Sequence, residues 1–99
     1  MSAEKVEPER RRFERATVLW SGELLTGSQA APCVIVNIAA GGAMVRTPEA
    51  AICQSRVTLR NPRLGDLDAE VTWRKNDEMG LRFVDDEDRV AAIIAKALR

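Results

Sequence analysis

The chain has 99 residues, of which 45% are hydrophobic, and its 15 positive side chains are balanced by 15 negative ones. This length suits one domain with a single hydrophobic core. Proteins that bind long DNA or RNA normally carry an excess of positive charge, so the balance argues against such a partner. Histidine is absent, and two cysteines, Cys33 and Cys53, are too few ligands for a structural zinc site. We therefore expect a globular protein without a metal centre.

The first residues indicate the compartment. Residues 1–9 are polar, include Pro8 and lack the apolar core of a secretory signal, so we expect a disordered leader. No stretch approaches the roughly 18 apolar residues of a membrane span. These features predict a cytoplasmic protein without membrane insertion, and the missing signal disfavours a disulfide between the two cysteines.

Six segments have the β-branched composition or the alternation of strands, and turn signals separate them. The glycine pair Gly41–Gly42 suggests a sharp turn with positive φ at one or both glycines. Cys33 stands in an apolar run, which is typical of a small core residue. The predicted strands cover residues 16–20 (with an extension to 25 as an alternative), 33–38, 43–47, 56–60, 67–74 and 79–84. Strict alternation in the fifth strand places Leu67, Ala69, Val71 and Trp73 on one face.

The hydrophobic period changes after residue 84. The acidic run 85–88 suits a helix N-terminus, where Asp85 or Asp86 can cap free N–H groups. We prefer this interpretation to a metal site because no further ligands stand at suitable spacing. The sequence predicts a helix over about residues 86–98, with an apolar stripe formed by Val90, Ile93, Ile94 and Leu98.

Six short strands and one helix restrict the possible architectures. An open sheet of such strands would leave long edges, whereas a small barrel removes or shortens them. We therefore predict a mainly β fold: a six-stranded antiparallel β-barrel with a C-terminal α-helix that covers one opening.

Catalytic chemistry has little support in the sequence. No histidine is present to activate a serine or cysteine, tyrosine is absent, and the lysines are only Lys5, Lys75 and Lys96. No phosphate-binding or dinucleotide-binding fingerprint occurs. The chain is thus expected to be a binding or adaptor protein, with no catalytic residue and no cofactor.

An arginine-rich segment, residues 10–15, precedes the first predicted strand. Guanidinium groups bind phosphates and the O6/N7 edge of guanine, and they stack on purine rings. Glu9 and Glu14 compensate part of the charge, so the segment taken alone is more typical of a solvated tail.

A second feature is the turn from Asn37 to Gly42. The Asn37 amide offers both a donor and an acceptor to a base edge, and glycines allow close approach of a ligand to the backbone. Taken alone, this turn is better explained as a tight connection between strands.

The two features in order resemble the PilZ family, whose signature is RxxxR followed by [DN]xSxxG. Arg11 and Arg15 fit the first motif, and Asn37 and Gly42 fit the second. The segments 71–74 and 80–84 also look like the closing hairpin of that family, so the resemblance covers roughly residues 10–90. It implies a six-stranded barrel over residues 10–99 that binds cyclic di-GMP through these four residues. Possible additional contacts are Arg10, Arg12, Ala39 and Gly41.

Ala39 departs from the family pattern, because it occupies the position of the serine. Two functions therefore stay open: a cyclic di-GMP receptor that signals to a partner protein, and a ligand-independent interaction module for motility or surface attachment. A third alternative, a binder of single-stranded nucleic acid, would need several exposed aromatic side chains. For all three, we expect a monomer or a weak homodimer.

Overall fold

A computed structural model of the protein describes residues 15–48 and 56–99. Six antiparallel strands form a closed barrel in the order β1-β2-β3-β6-β5-β4, and one helix follows them. This confirms the predicted mainly β barrel with a C-terminal helix. The elements are β1 Ala16–Thr26, β2 Gln29–Ala39, β3 Gly42–Arg46, β4 Arg56–Asn61, β5 Gly65–Lys75, β6 Glu78–Phe83 and α1 Glu87–Ala97.

The barrel closes where β1 meets β4. Three register pairs join the two strands, at the positions 23–60, 24–59 and 25–58. Inward side chains from all six strands form one core, which includes Leu24, Ile35, Val45, Leu59 and Met79, each at most 1% exposed. Removal of this apolar surface from water is the main stabilising contribution to the fold.

The second strand is longer than predicted. It begins at Gln29 rather than residue 33, and it therefore includes Pro32. Proline has no N–H for a ladder hydrogen bond, which is why a proline normally indicates a strand end. Here the Pro32 carbonyl still has a role, because it accepts a hydrogen bond from Thr47 Oγ1 at 3.0 Å.

The helix begins as expected. Asp86 is the N-cap residue, and its side chain accepts a hydrogen bond from the backbone N–H of Asp88 at 3.2 Å. Val90, Ile94 and Ala97 are buried in the core. The prediction for Leu98 was wrong: it is 49% exposed, because Ala97 returns to the inward side seven residues after Val90 and Leu98 lies at the edge of the stripe. In the described part of the chain, no helix has the length and apolarity needed to cross a membrane.

Gly42 is required by packing rather than by a turn. The expected turn is present at residues 40–41, but positive φ occurs at Gly27 and Gly65 and not at Gly41 or Gly42, so the expectation of positive φ at the glycine pair was wrong. A Cβ on Gly42 would lie 2.1 Å from the carbonyl oxygen of Leu81 on the neighbouring strand β6. Glycine therefore permits the close approach of β3 and β6.

Gly42→Ala is expected to destabilise the fold by about 1–3 kcal/mol, the usual cost of overpacking, since the backbone of β6 must move. Urea unfolding followed by circular dichroism measures this change. Gly41→Ala is the matched control, because its Cβ would meet only the flexible end of Glu87 at 3.2 Å. Equal stability of the two variants would contradict the packing argument.

Cys33 is a small core residue, as predicted, and is 5% exposed. Burial, with a contribution from the negative charge of Glu23, raises the pKa of the Cys33 thiol to about 11 from the ordinary value of 9.0. The folded state therefore holds the proton in a pH range where the unfolded chain releases it. This contribution to stability is complete below pH 9.0 and is lost as the pH rises towards about 11.

Cys33→Ala is expected to reduce the fall in unfolding free energy between pH 9.0 and about pH 11. The substitution removes at most about 1.4 kcal/mol of this fall in unfolding free energy per pH unit. Urea unfolding across this pH range gives the slopes for both proteins. Identical slopes would show that the thiol does not titrate as the burial of Cys33 requires.

Candidate functional site

One row of outward positions crosses four neighbouring strands of the barrel. Asn37 on β2 pairs with Met44 on β3, Met44 pairs with Gly80 on β6, and Gly80 pairs with Trp73 on β5. Paired positions in antiparallel strands carry their side chains on the same face. The row therefore places an amide, a thioether and an indole side by side on the outer surface.

Two β-bulges define this row. The register of β2 against β3 shifts between Ile35 and Asn37, and the register of β5 against β6 shifts between Val71 and Trp73. Each bulge inserts one residue and so reverses the alternation of faces beyond it. The prediction that Trp73 shares the face of Val71 was therefore wrong. Val71 packs against the core, whereas Trp73 turns outward and is 44% exposed.

The Trp73 indole lies over Gly80. A Cβ on Gly80 would be only 2.0 Å from the indole Nε1, so any side chain at this position would displace the ring. Thr72, the extra residue of the bulge, donates a hydrogen bond from Oγ1 to the Gly80 carbonyl at 3.3 Å. These contacts hold the indole against β6.

Arg15 lies at the other end of the row, directly before β1. Its Nη1 donates a hydrogen bond to Asn37 Oδ1 at 2.7 Å. A guanidinium has donors but no acceptors, so the amide oxygen must face Arg15. The amide nitrogen of Asn37 is then directed elsewhere, and both side chains offer N–H donors to a bound group.

A cavity of about 270 Å³ lies between these two ends. It is slightly below the usual range for pockets that hold a whole drug-sized ligand, about 300–1,000 Å³. This size suits one planar group with the rest of its molecule outside. The cavity is lined by Arg15, Asn37, Ala43, Met44, Thr72, Trp73, Gly80 and Leu81.

The structure brings two of the sequence-predicted site residues, Arg15 and Asn37, into contact. Ala39 and Gly42 are buried, and neither they nor Gly41 line this cavity. The predicted leader 1–9 and the predicted contacts Arg10, Arg11 and Arg12 lie outside the described residues.

Sequence reasoning missed six lining residues: Ala43, Met44, Thr72, Trp73, Gly80 and Leu81. A usable signal existed for two of them, because an aromatic residue and a glycine on adjacent hairpin strands are a common pair. Strict alternation instead placed Trp73 on the same face as Val71, and the bulge that overrides this alternation leaves no mark in the sequence.

The acidic residues before α1 serve the helix. Asp86 caps it, and Asp85 forms an ion pair with Arg89. Within residues 15–48 and 56–99, no group of three or more cysteine, aspartate or glutamate side chains is arranged to hold a metal ion.

The outer face of β4, β5 and β6 carries charged side chains that form ion pairs with each other. Glu70 lies between Arg56 and Arg82 and forms ion pairs with both. Arg60 pairs with Asp66 at 2.9 Å, and this hydrogen bond lowers the pKa of the Asp66 carboxyl. The charged side chains named here thus form ion pairs with one another on the outer surface of the barrel.

Comparison with known proteins agrees with this architecture. An uncharacterised Legionella protein, Lpg0364, superimposes with a TM-score of 0.60 at 16% identity, covering 84% of this chain and 91% of that one. The Borreliella burgdorferi PlzA protein, solved in complex with c-di-GMP, gives a TM-score of 0.65 at 16% identity. There the match covers 99% of this chain but 45% of PlzA. At such identities, these structures establish a shared fold.

No curated protein sequence matches the chain significantly. The sequence does match the PilZ domain family, over residues 9–98. The match spans nearly the whole chain and agrees with the closed barrel and its C-terminal helix. The chain therefore belongs to the PilZ domain family.

Proposed function

We propose that the protein is a receptor for cyclic di-GMP. The observation that carries this proposal is the hydrogen bond between Arg15 and Asn37, which joins the two motifs at one end of a cavity that Trp73 bounds at the other. Membership of the PilZ domain family and the structural similarity to PlzA, which was solved with this ligand, support it.

The chemistry of the cavity fits one guanine base. Guanine presents two acceptors, O6 and N7, along one edge, and Arg15 with Asn37 supplies donors. The base has a flat aromatic face, and the exposed Trp73 indole can stack on it. In this arrangement, Arg11 binds a phosphate or the second guanine, and Arg10 and Arg12 contribute charge.

Ala39 is buried and does not line the cavity, so it can affect affinity only through the part of the ligand that lies outside the cavity. If the serine hydroxyl of the family motif binds the ligand, its loss costs about 0.5–1.5 kcal/mol, which is roughly a two- to tenfold change in Kd. Each charge-assisted arginine contact contributes on the order of 1.5–3 kcal/mol. Binding is therefore weakened by Ala39 and is retained.

The response to ligand would involve the segment 10–15. Contacts between its arginines and the ligand would hold this segment against the barrel near Asn37, at a cost in conformational entropy. The bound ligand and the ordered segment then form a new surface for a downstream protein. As a receptor for a second messenger, the protein would act in the cytoplasm, the compartment expected from its sequence.

Nuclear magnetic resonance titration of the full chain with cyclic di-GMP tests this proposal. We expect ligand-dependent shifts at Asn37 and at the Trp73 indole N–H, and none at Leu98, the residue that directly follows α1. Shifts spread evenly over the barrel, or their absence at saturating ligand, would contradict it.

A second function, a ligand-independent interaction module, is favoured by Ala39. It predicts that the Arg15–Asn37 hydrogen bond is a permanent structural contact and that the same titration leaves Asn37 and the Trp73 indole unshifted. The two functions thus give opposite results in one experiment.

A further inference from the structure

The outer face of β2 lacks charge. The eleven residues of this strand, Gln29–Ala39, include no aspartate, glutamate, lysine or arginine. Pro32 and Val34 point outward, and Val34 is 40% exposed. Exposed, uncharged strand surface favours association with another protein.

Leu19 extends this surface onto β1. It lies in the bulge between the pairs Thr17–Asn37 and Trp20–Ile35, and it is 66% exposed. Its φ of 53° falls in the left-handed region, which costs a residue with a Cβ roughly 1–2 kcal/mol. An exposed leucine in a strained conformation does not stabilise the monomer. We call Leu19, Pro32 and Val34 the apolar face.

Opposite charges flank the apolar face on its two sides. Glu23 on β1 pairs in register with Pro32, and Arg46 on β3 pairs with Val34. Arg46 donates to Glu78 through Nε and Nη2, yet its side chain is 58% exposed and can reach a further carboxylate. A negative charge thus borders one side of the face and a positive charge the other.

We propose that the apolar face binds a second copy of this chain around a two-fold axis that runs along β2. Such an axis places the β1 side of each copy opposite the β3 side of the other. Glu23 of one copy then faces Arg46 of the other, and symmetry repeats the contact. The surface is therefore complementary to itself in both charge and apolarity. The proposal is independent of cyclic di-GMP.

Light scattering on eluted peaks tests the association. Over a concentration series without ligand, we expect the mass to rise from 10.9 kDa towards twice that value. Val34→Lys should weaken dimerisation by at least about tenfold, because a charge would be buried in the apolar contact. Val84→Lys is the matched control, since Val84 is 46% exposed and lies outside the apolar face. A monomeric parent at all concentrations, or equal effects of both variants, would overturn the proposal.

Charge reversal tests the two-fold geometry. Glu23→Arg and Arg46→Glu should each weaken the homodimer, since each places like charges at both contacts. Mixing the two variants should restore dimers, because the heterodimer has opposite charges at both contacts. If the mixture stays as monomeric as either variant alone, the two-fold arrangement is wrong. Circular dichroism of each variant confirms that it is folded.

Discussion

Replacing Arg15 with alanine is expected to weaken cyclic di-GMP binding by about ten- to hundredfold. The charge-assisted hydrogen bonds of one guanidinium contribute about 1.5–3 kcal/mol, and each 1.4 kcal/mol is a factor of ten in Kd. Arg15 also orients the Asn37 amide through their 2.7 Å hydrogen bond, so its removal affects two ligand contacts. Calorimetric titration of parent and variant gives the ratio of affinities.

Two controls make this result specific to the site. Arg60→Ala removes another exposed arginine, which pairs with Asp66 on the outer face of β4 and β5 and does not line the cavity, and it should leave the affinity unchanged. Arg15→Lys keeps the charge but loses the forked geometry, so an intermediate affinity is expected. Parent-like binding by Arg15→Ala would remove Arg15 from the site.

Replacing Trp73 with alanine is expected to weaken binding by roughly 5- to 150-fold, because stacking of a base on an aromatic ring contributes about 1–3 kcal/mol. The side chain is 44% exposed, so the barrel should keep its fold. Tryptophan fluorescence provides a second measurement. The other tryptophan, Trp20, lies beneath Arg63 at 5.2 Å from its guanidinium and does not line the cavity.

Trp73→Phe separates stacking from other effects of the substitution. Phenylalanine retains an aromatic face, so binding should largely persist while the ligand-induced change in fluorescence disappears. Gly80→Ala should resemble Trp73→Ala in affinity, since a Cβ at this position displaces the indole. Full affinity in both Trp73→Ala and Gly80→Ala would exclude the indole from the binding surface.

The number of strands could be predicted because turn residues separate segments of strong β propensity. The face on which each side chain lies could be predicted only where the alternation is uninterrupted. Leu81 and Phe83 are examples, and both are buried. A bulge inserts one residue without any compositional signal, and this is why Trp73 was assigned to the wrong face. The predicted second strand began at Cys33, whereas β2 begins at Gln29 and includes Pro32, a residue that normally stands at a strand end or edge.

The site itself was only partly predictable. The motif spacing identified Arg15 and Asn37, which the fold brings within hydrogen-bonding distance. The aromatic end of the cavity depends on the bulge between Val71 and Trp73, which shifts the register of β5 against β6 by one residue and has no signal in the local sequence pattern.

Gly42 is a motif residue whose identity is explained by packing of the barrel. Its position in the second motif suggested a ligand contact, but the 2.1 Å distance from its Cβ position to the Leu81 carbonyl requires glycine on packing grounds alone. A loss of binding in a Gly42 variant would therefore report on the fold, whereas Arg15 and Trp73 report on the ligand.

Calorimetric titration of the folded chain with cyclic di-GMP tests the central claim most directly. The proposed site predicts saturable heat with an affinity in the micromolar range or tighter, and a loss of that heat in Arg15→Ala. Absence of heat from folded protein at high micromolar ligand would contradict the claim and leave the interaction module as the function of this barrel.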